Sequence, residues 1–400
     1  MIKKIPVSDL VSGMYIHDLN CDWMEHPFLT NSFLVDGKAR IAKIRSLGVR
    51  EVYIDTDRGL DVANAPTEEE VQAELQQRME SITPCGERPR QVALAEETQR
   101  AQHIHTEANH IIRRLMTDVR LGAQIEVDRM EPLLENMMDS IFRNQNALLP
   151  LVGLKRHDNY TFEHSVSVCA LMVTFARELD MSRQTIKEIA LGALLHDVGK
   201  SMVPDAILNK PGSLNAAEFA QMQEHVVFSI QILQETPGIT ATAMQVAAQH
   251  HERYDGSGYP HRLKGEALSL YGQMSSIVDV YDAISSDRVY HKGMQPSSAL
   301  KKLLEWSNHH FEPKLVHSFI RAIGIYPTGS LVRLESNRLA VVREQNEGDL
   351  LHPQVEVIYH AAQQCYLTPE HIDLRRGNDR LVGHEEFSKW NIDPKVWLPA

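Results

Sequence analysis

Along residues 1–64 the apolar positions come in short alternating runs, VSGMYIHDL, FLTNSFLVD and VREVYID, with one helix-spaced stretch, KARIAKIRSLG, closed by Gly48. Alternation at a period of two turns one face of a strand inward, and recurrence every three or four residues does the same for a helix. A small α/β module is therefore expected. From 65 to 103 the pattern lapses into PTEEEVQAELQQRME and TPCGERPRQ, charged and broken by proline, which predicts a linker containing some helix. A helical period returns at 104, with Ile111, Leu115 and Val119, then Met130, Leu134, Met137 and Ile141, recurring at three or four. Predominantly helical segments continue to 325, after which SLVRLE, LAVVRE and VEVIYH read as strands divided by turn residues across 326–400. The expected fold is mainly α: a helical domain at 104–325, an α/β module and charged linker ahead of it, and a short β-rich extension behind.

Composition narrows what such a chain does. A net charge of −12 argues against a nucleic-acid polymer as partner, because gripping a polyanion needs a basic face. If the ligand is a phosphate compound, local cations must hold it. No apolar run approaches the roughly 18 residues of a membrane helix, and the start, MIKKIPVSDLVSGMYIHD, lacks a long apolar stretch after its lysines. The expectation is a cytoplasmic chain with no membrane partner. Cys21, Cys85, Cys169 and Cys365 are far apart and form no CxxC pair, so neither a disulfide framework nor a thiolate zinc site is indicated. There are 20 histidines, and the places where they gather carry the chemistry.

In SRQTIKEIALGALLHDVGK, residues 182–200, Ser182 is a suitable N-cap and Ile186, Ile189, Ala190, Ala193 and Leu194 form an inward stripe that Asp197 continues. The helix thus delivers His196 and Asp197 to a buried face just before Gly199 breaks it. A buried carboxylate without a partner costs several kcal/mol, so a cation or a paired histidine is required. Taken alone, the dipeptide fits a structural His–Asp pair as well as a metal site. Further ligand-type residues lie on apolar faces of neighbouring helices. His225 borders the Phe219, Met222, Val226, Ile230 and Leu233 face, and His250 follows Ala243, Val246 and Ala247, with His251 directly after. Ser275, Asp279, Asp282 and Ser286 make a polar stripe opposite Ile277, Val278 and Tyr281, and Glu163 and His164 open another apolar helix.

Imidazoles and carboxylates with no sulfur suit a first-row divalent ion such as iron, manganese, nickel or zinc. More ligands than one ion accepts implies two metals, or three. Such a site makes hydroxide at neutral pH and clamps the attacking and leaving oxygens of an in-line displacement at phosphorus, so phosphate ester hydrolysis is the natural chemistry. Lys200, at the helix end, either meets a phosphate or leaving oxygen or simply faces the helix dipole. His157–Asp158, His309–His310, His103, His105 and His110 are read as structural or solvent-facing.

HDVGK at 196–200 together with HHERYDGSGYP at 250–260 resembles the HD-GYP subgroup of HD-domain phosphohydrolases. The likeness runs from about Tyr160 to Phe319 through YTFEHS, ILNKPGSLNAAEFAQMQEHV, VDVYDAISSDR and FEPKLV. SGMYIHDLNCDWMEHPF resembles a small domain of unknown function often found ahead of HD-GYP domains. The resemblance implies an all-helical phosphohydrolase domain and a bacterial enzyme that opens cyclic dinucleotides, chiefly cyclic di-GMP, by a metal-bridged hydroxide. It assigns metal ligation to His164, His196, Asp197, His225, His250, His251 and Asp279, with Asp197 bridging two ions. Glu163 is added as a carboxylate for a third ion, although its side chain leaves the helix about 100° from that of His164. Lys200 matches the family's catalytic-site lysine. Tyr259 and Arg288 match positions that contact substrate, with Gly258 and Lys292 beside them. DRVYHKG, where many relatives read RPYRK, puts His291 at a usually basic position and leaves base preference open.

In the GYP turn, Gly256 and Gly258 relax the backbone so that Tyr259 approaches a nucleotide, and Pro260 stiffens the exit. Glu252 either orients a histidine or lies at the surface. A quiet cyclic-dinucleotide-sensing module, a mixed cyclic GMP–AMP phosphodiesterase and a mononucleotidase are the competing readings. A signalling partner on the GYP loop or N-terminal domain, and a dimer through the 104–147 helices, complete the expected contacts.

Overall fold

The computed structural model describes residues 1–21, 32–84, 90–153, 160–210, 212, 214–286, 293–307, 309–346 and 348–397. They form two compact units, Met1–Arg78 with Pro204–Met222, and Met79–Val203 with Gln223–Ala400.

The first unit is built on four antiparallel strands, β1 (Ile2–Pro6), β2 (Tyr15–Asp18), β3 (Phe33–Leu34) and β4 (Glu51–Asp55), in the order β1-β4-β2-β3. Ile5 pairs with Val52 and Ile16 with Ile54, and these four are fully buried with Ile44 of α1 (Lys38–Ser46). β1 is absent from the expected strands because Lys3 and Lys4 hide its alternation; pairing along β4 defines it.

α2 (Glu68–Glu80) starts in the first unit. The second unit continues with α3 (Leu94–Arg120), α4 (Glu131–Gly153), α5 (Tyr160–Glu178) and α6 (Arg183–Leu195). After a short α7 (Asp205–Leu208), α8 (Ala216–Gln234) enters the second unit, followed by α9 (Ala241–Gln249), α10 (Leu270–Ser285), α11 (Pro296–Trp306) and α12 (Pro313–Ile323). Helix α5 is central, packing against α3, α4, α6, α10 and α12. Burial pushes its Cys169 thiol up to about 12, which makes that residue core and not nucleophile. Five antiparallel strands close the chain: β5 (Leu331–Leu334), β6 (Arg338–Asn346), β7 (Asp349–His360), β8 (Cys365–Asp373) and β9 (Leu381–Glu385), in the order β8-β7-β6-β5-β9, with α13 (Pro394–Trp397) at the end. The chain is mainly helical with a small N-terminal sheet and C-terminal strands. No helix among the described residues is long and apolar enough to cross a membrane.

Helices α3 and α4 pack on each other, and the buried stripe of α3 is Ile104, Ala108, Ile112, Met116 and Val119. This lies one position round from the expected Ile111 and Leu115, which are only half-buried. The choice is ambiguous locally because Ile111–Ile112 and Leu115–Met116 are adjacent apolar pairs, and contact with α4 decides it.

A buried ion pair joins these helices. Glu97 of α3 is fully buried, and Arg143 of α4 donates to both its oxygens at 2.7 and 2.8 Å. Burial by itself would raise the Glu97 carboxyl, but Arg143 and Ser140 more than offset this and hold it below its ordinary value. Because the folded pKa is depressed, the pair's stabilisation is complete above the ordinary carboxylate value and is lost as pH falls through the lowered one. Replacing Arg143 with methionine leaves the buried Glu97 carboxylate with the longer Arg100 contact at 3.4 Å and is expected to cost ~2 kcal/mol. Urea unfolding at neutral pH measures this, and the gap to wild type should narrow as Glu97 protonates in acid.

Candidate metal centre

Two helices of the second unit end in the same way. The C-caps of α6 and α9 are His196 and His250, and each ring donates from Nδ1 to the carbonyl three residues back, Ala193 and Ala247, at 2.7 Å in both cases. Carbonyls of a final helical turn lack intrahelical partners, so ALLHD and AAQHH satisfy one locally. The bond also fixes the tautomer and leaves Nε2 as the available lone pair. In α5, His164 is oriented differently: its Nδ1 lies 2.5 Å from Oδ2 of Asp282, whose Oδ1 accepts from Ser167 at 2.5 Å.

The side chains converge on Asp197, which is fully buried. Its Oδ2 lies 3.4 Å from Nε2 of His196 and 3.6 Å from Nε2 of His164. Its Oδ1 lies 3.4 Å from Nε2 of His225 and 3.9 Å from Nε2 of His250. Asp279 of α10 is split likewise, Oδ1 being 2.9 Å from His164 Nε2 and Oδ2 3.5 Å from His251 Nδ1. Among the described residues three donor groups have metal-site spacing: His225 with His250 and His251, His164 with His196 and Asp279, and His196 with Asp197 and His250. Glu163 is buried next to His164 but joins none of these groups. Lys200, in the turn after Asp197, donates to its Oδ2 at 2.5 Å.

Helix α8 presses on this turn. Ser229 donates to the His196 carbonyl and accepts from the Gly199 amide, both at 2.8 Å. A side chain at Gly199 would place its Cβ 2.0 Å from the His225 carbonyl. Glycine is needed there for close approach of α8, which brings His225 to Asp197, and not to break the helix: α6 has already ended at Leu195. Ser229 did not enter the expected site, and Asp282 entered only as a member of the polar stripe, without its role as the partner of His164. Their signals were weak ones, a serine one turn beyond His225 and an aspartate one turn beyond Asp279.

The charge states of Asp197, His250 and His251 suit cation binding, whereas His196 would give up a proton to ligate. Burial alone would raise the Asp197 carboxyl, but Lys200, His196 and His225 hold it well below the usual carboxylate range. Burial opposes the charged form of His196, and Asp197 beside it overcomes this and raises the ring. Burial and the neighbouring His196 push His250 down to about 3; burial and His250 likewise carry His251 well below its ordinary value. Both rings are neutral, with lone pairs free to ligate. Oδ1 of Asp197 and Nε2 of His250 are buried and form no hydrogen bond, an expensive arrangement unless an ion takes those lone pairs. An all-nitrogen-and-oxygen set so disposed fits divalent transition ions.

Residues 2–130 match the family described as a domain of unknown function, DUF3391, and residues 139–315 match the HD domain family. A protein of Pseudomonas aeruginosa named cyclic di-GMP phosphodiesterase is 41% identical over 395 residues, covering 98% of this chain and 94% of the relative. The chain belongs to the HD-GYP family of phosphohydrolases. A 3′3′-cGAMP-specific phosphodiesterase of Vibrio cholerae is 44% identical over 123 residues, 30% of this chain and 24% of that one. A solved HDG"Y"P protein from Bdellovibrio bacteriovorus aligns over 80% of this chain and 98% of its own with 19% identity and a TM-score of 0.48.

The loop that gives the HD-GYP family its name lies against this cluster. The Tyr259 ring stacks on His251 with centroids 4.7 Å apart at 28°. Gly258 is packed tightly beneath, where a Cβ would meet the Arg253 amide at 2.4 Å and the His251 carbonyl at 2.5 Å. Glu252, left open between two roles, performs neither: it is fully buried and its carboxylate accepts backbone amides of its own loop. Arg288 and Lys292, with His291 and the His157–Asp158 dipeptide, lie outside the described residues. His309 and His310 are half-buried, and the His310 carbonyl accepts the Tyr254 amide at 2.9 Å.

Loss of the Asp282 carboxylate is expected to weaken metal binding by ~10–100-fold, as for other outer partners of ligating histidines. Metal titration of the Asp282→Asn variant measures it. Affinity equal to wild type would show that His164 needs no such orientation.

Proposed function

We propose that this chain is a metal-dependent phosphodiesterase that hydrolyses a cyclic dinucleotide, cyclic di-GMP foremost, to linear pGpG, GMP or both. The observation that carries the reading is the division of Asp197: one buried carboxylate turns its two oxygens to two different imidazole sets. This arrangement supports His164, His196 and Asp279 as the holders of one ion and His225, His250 and His251 as the holders of another, with Asp197 between them. Glu163 is kept as a carboxylate for a third ion on the resemblance alone, since it joins none of the donor groups. We take iron or manganese as the ions, with nickel or zinc as the alternatives, since mixed nitrogen and oxygen donors accept all four. When bound, such ions supply positive charge to a phosphodiester and acidify water at neutral pH.

The chain's own groups do the rest. Lys200 is 17% exposed at its side chain and stands beside Asp197, close enough to carry positive charge to a phosphate or leaving oxygen. Tyr259 extends the aromatic stack that begins at His251 and offers a face to a nucleobase. Arg288 and Lys292 are assigned to phosphate contacts by the resemblance of their segment. Water adds at phosphorus, the P–O3′ bond breaks, and the ring opens to a 5′-phosphorylated linear product.

The match to the Vibrio cholerae cGAMP-specific enzyme over 123 residues favours mixed cyclic GMP–AMP as second substrate. The test is to load the purified full chain anaerobically with iron or manganese, count bound metal, and incubate with either dinucleotide. Linear product from cyclic di-GMP is expected. Stoichiometric metal with no turnover of either compound would leave a sensing module and overturn the proposal.

A further inference from the structure

The ring stack places Tyr259 over His251, and the loop that carries it contains a residue in an unfavourable conformation. Arg262 has a φ of 55°, in the left-handed region that residues other than glycine and asparagine rarely enter. Its two flanking amides point at one group: His261 donates to Oε1 of Glu252 at 2.7 Å and Leu263 donates to Oε2 at 3.0 Å. Backbone amides grouped around a left-handed residue make a concavity that favours an anion, and here the chain supplies the anion itself. Glu252 is fully buried, so both bonds are shielded from water and are of the strong, charge-assisted kind. It also directly follows His251, whose carbonyl accepts the Tyr259 amide at 3.1 Å. The loop is therefore tied to the end of α9 at Tyr259 and again just beyond it, and Gly265 closes its base by donating to the Tyr254 carbonyl at 2.8 Å.

We propose that Glu252 is a positioning residue, whose carboxylate holds Arg262 left-handed and thereby sets the Tyr259 ring over His251 in the orientation that receives a nucleobase. This role rests on the phosphodiesterase reading for its substrate but not for its geometry. Glutamine in place of Glu252 keeps one acceptor oxygen and loses the other, together with the charge. The strain at Arg262 is then unopposed, and the loop relaxes away from the ring stack.

The test uses the metal-loaded full chain as Glu252→Gln, Arg262→Gly and the double variant. In Glu252→Gln, amide hydrogen exchange at His261 and Leu263 should speed up by about tenfold, the loss of ~1.4 kcal/mol of protection. KM for cyclic di-GMP should rise by a similar factor while kcat and bound metal stay close to wild type. Adding Arg262→Gly should recover most of the KM, since glycine adopts the left-handed conformation without strain. Wild-type exchange in Glu252→Gln, a double variant no better than the single one, or metal loss in step with kcat would each overturn the role. Exchange is read without turnover, so a wild-type protein inert toward cyclic dinucleotides would overturn the function alone.

Discussion

Replacing Asp197 with asparagine is expected to abolish turnover of cyclic di-GMP and to cut bound metal by more than the ~100-fold typical of losing an outer partner. The reason lies in the two oxygens. Oδ2 faces His164 and His196, and Oδ1 faces His225 and His250, so an amide that presents one oxygen and one NH2 group cannot serve both sides. The NH2 group would also meet imidazole lone pairs or cations. The metal-free fold should survive, because the substituted amide matches the carboxylate in volume and keeps an acceptor for Lys200. Elemental analysis and a melting curve, run with the assay, separate the outcomes. Two bound ions and measurable turnover in Asp197→Asn would refute a shared carboxylate.

Changing Lys200 to methionine should act on rate and not on metal. The ammonium sits 2.5 Å from Oδ2 of Asp197 and competes with any cation for that oxygen, so its removal should leave affinity unchanged or higher. If Lys200 carries charge to a phosphate or leaving oxygen, kcat should fall by ~100-fold, the usual cost of one preorganised electrostatic contact. An unchanged kcat would reduce Lys200 to a counterion of Asp197. Methionine preserves the apolar stem, so lost packing is a minor term.

Much of this site was legible before folding was considered. Ser182 as a cap is a local matter, and its hydroxyl does accept the Thr185 amide at 3.1 Å. His196, His225 and His250 stood out because each interrupts or ends an apolar helical face, and a polar side chain in that place must be buried. Asp197 and Asp279 stood out for the same reason. The partners were not legible. Asp282 meets His164 across 118 residues, and a pattern within one helix says which face is inward without saying what waits opposite. Glu252 was undecidable because its partners are backbone amides, which every residue but proline possesses.

The sequence by itself determined the helical class, the inward faces and the types of donor, since period and side-chain chemistry are properties of a few neighbouring residues. Only the tertiary structure decided which imidazoles each Asp197 oxygen faces, that α3 buries Ile112 in preference to Ile111, and that the Glu252 carboxylate accepts two amides of its own loop. Those outcomes depend on which surfaces meet and on distances of a few ångströms between groups far apart along the chain.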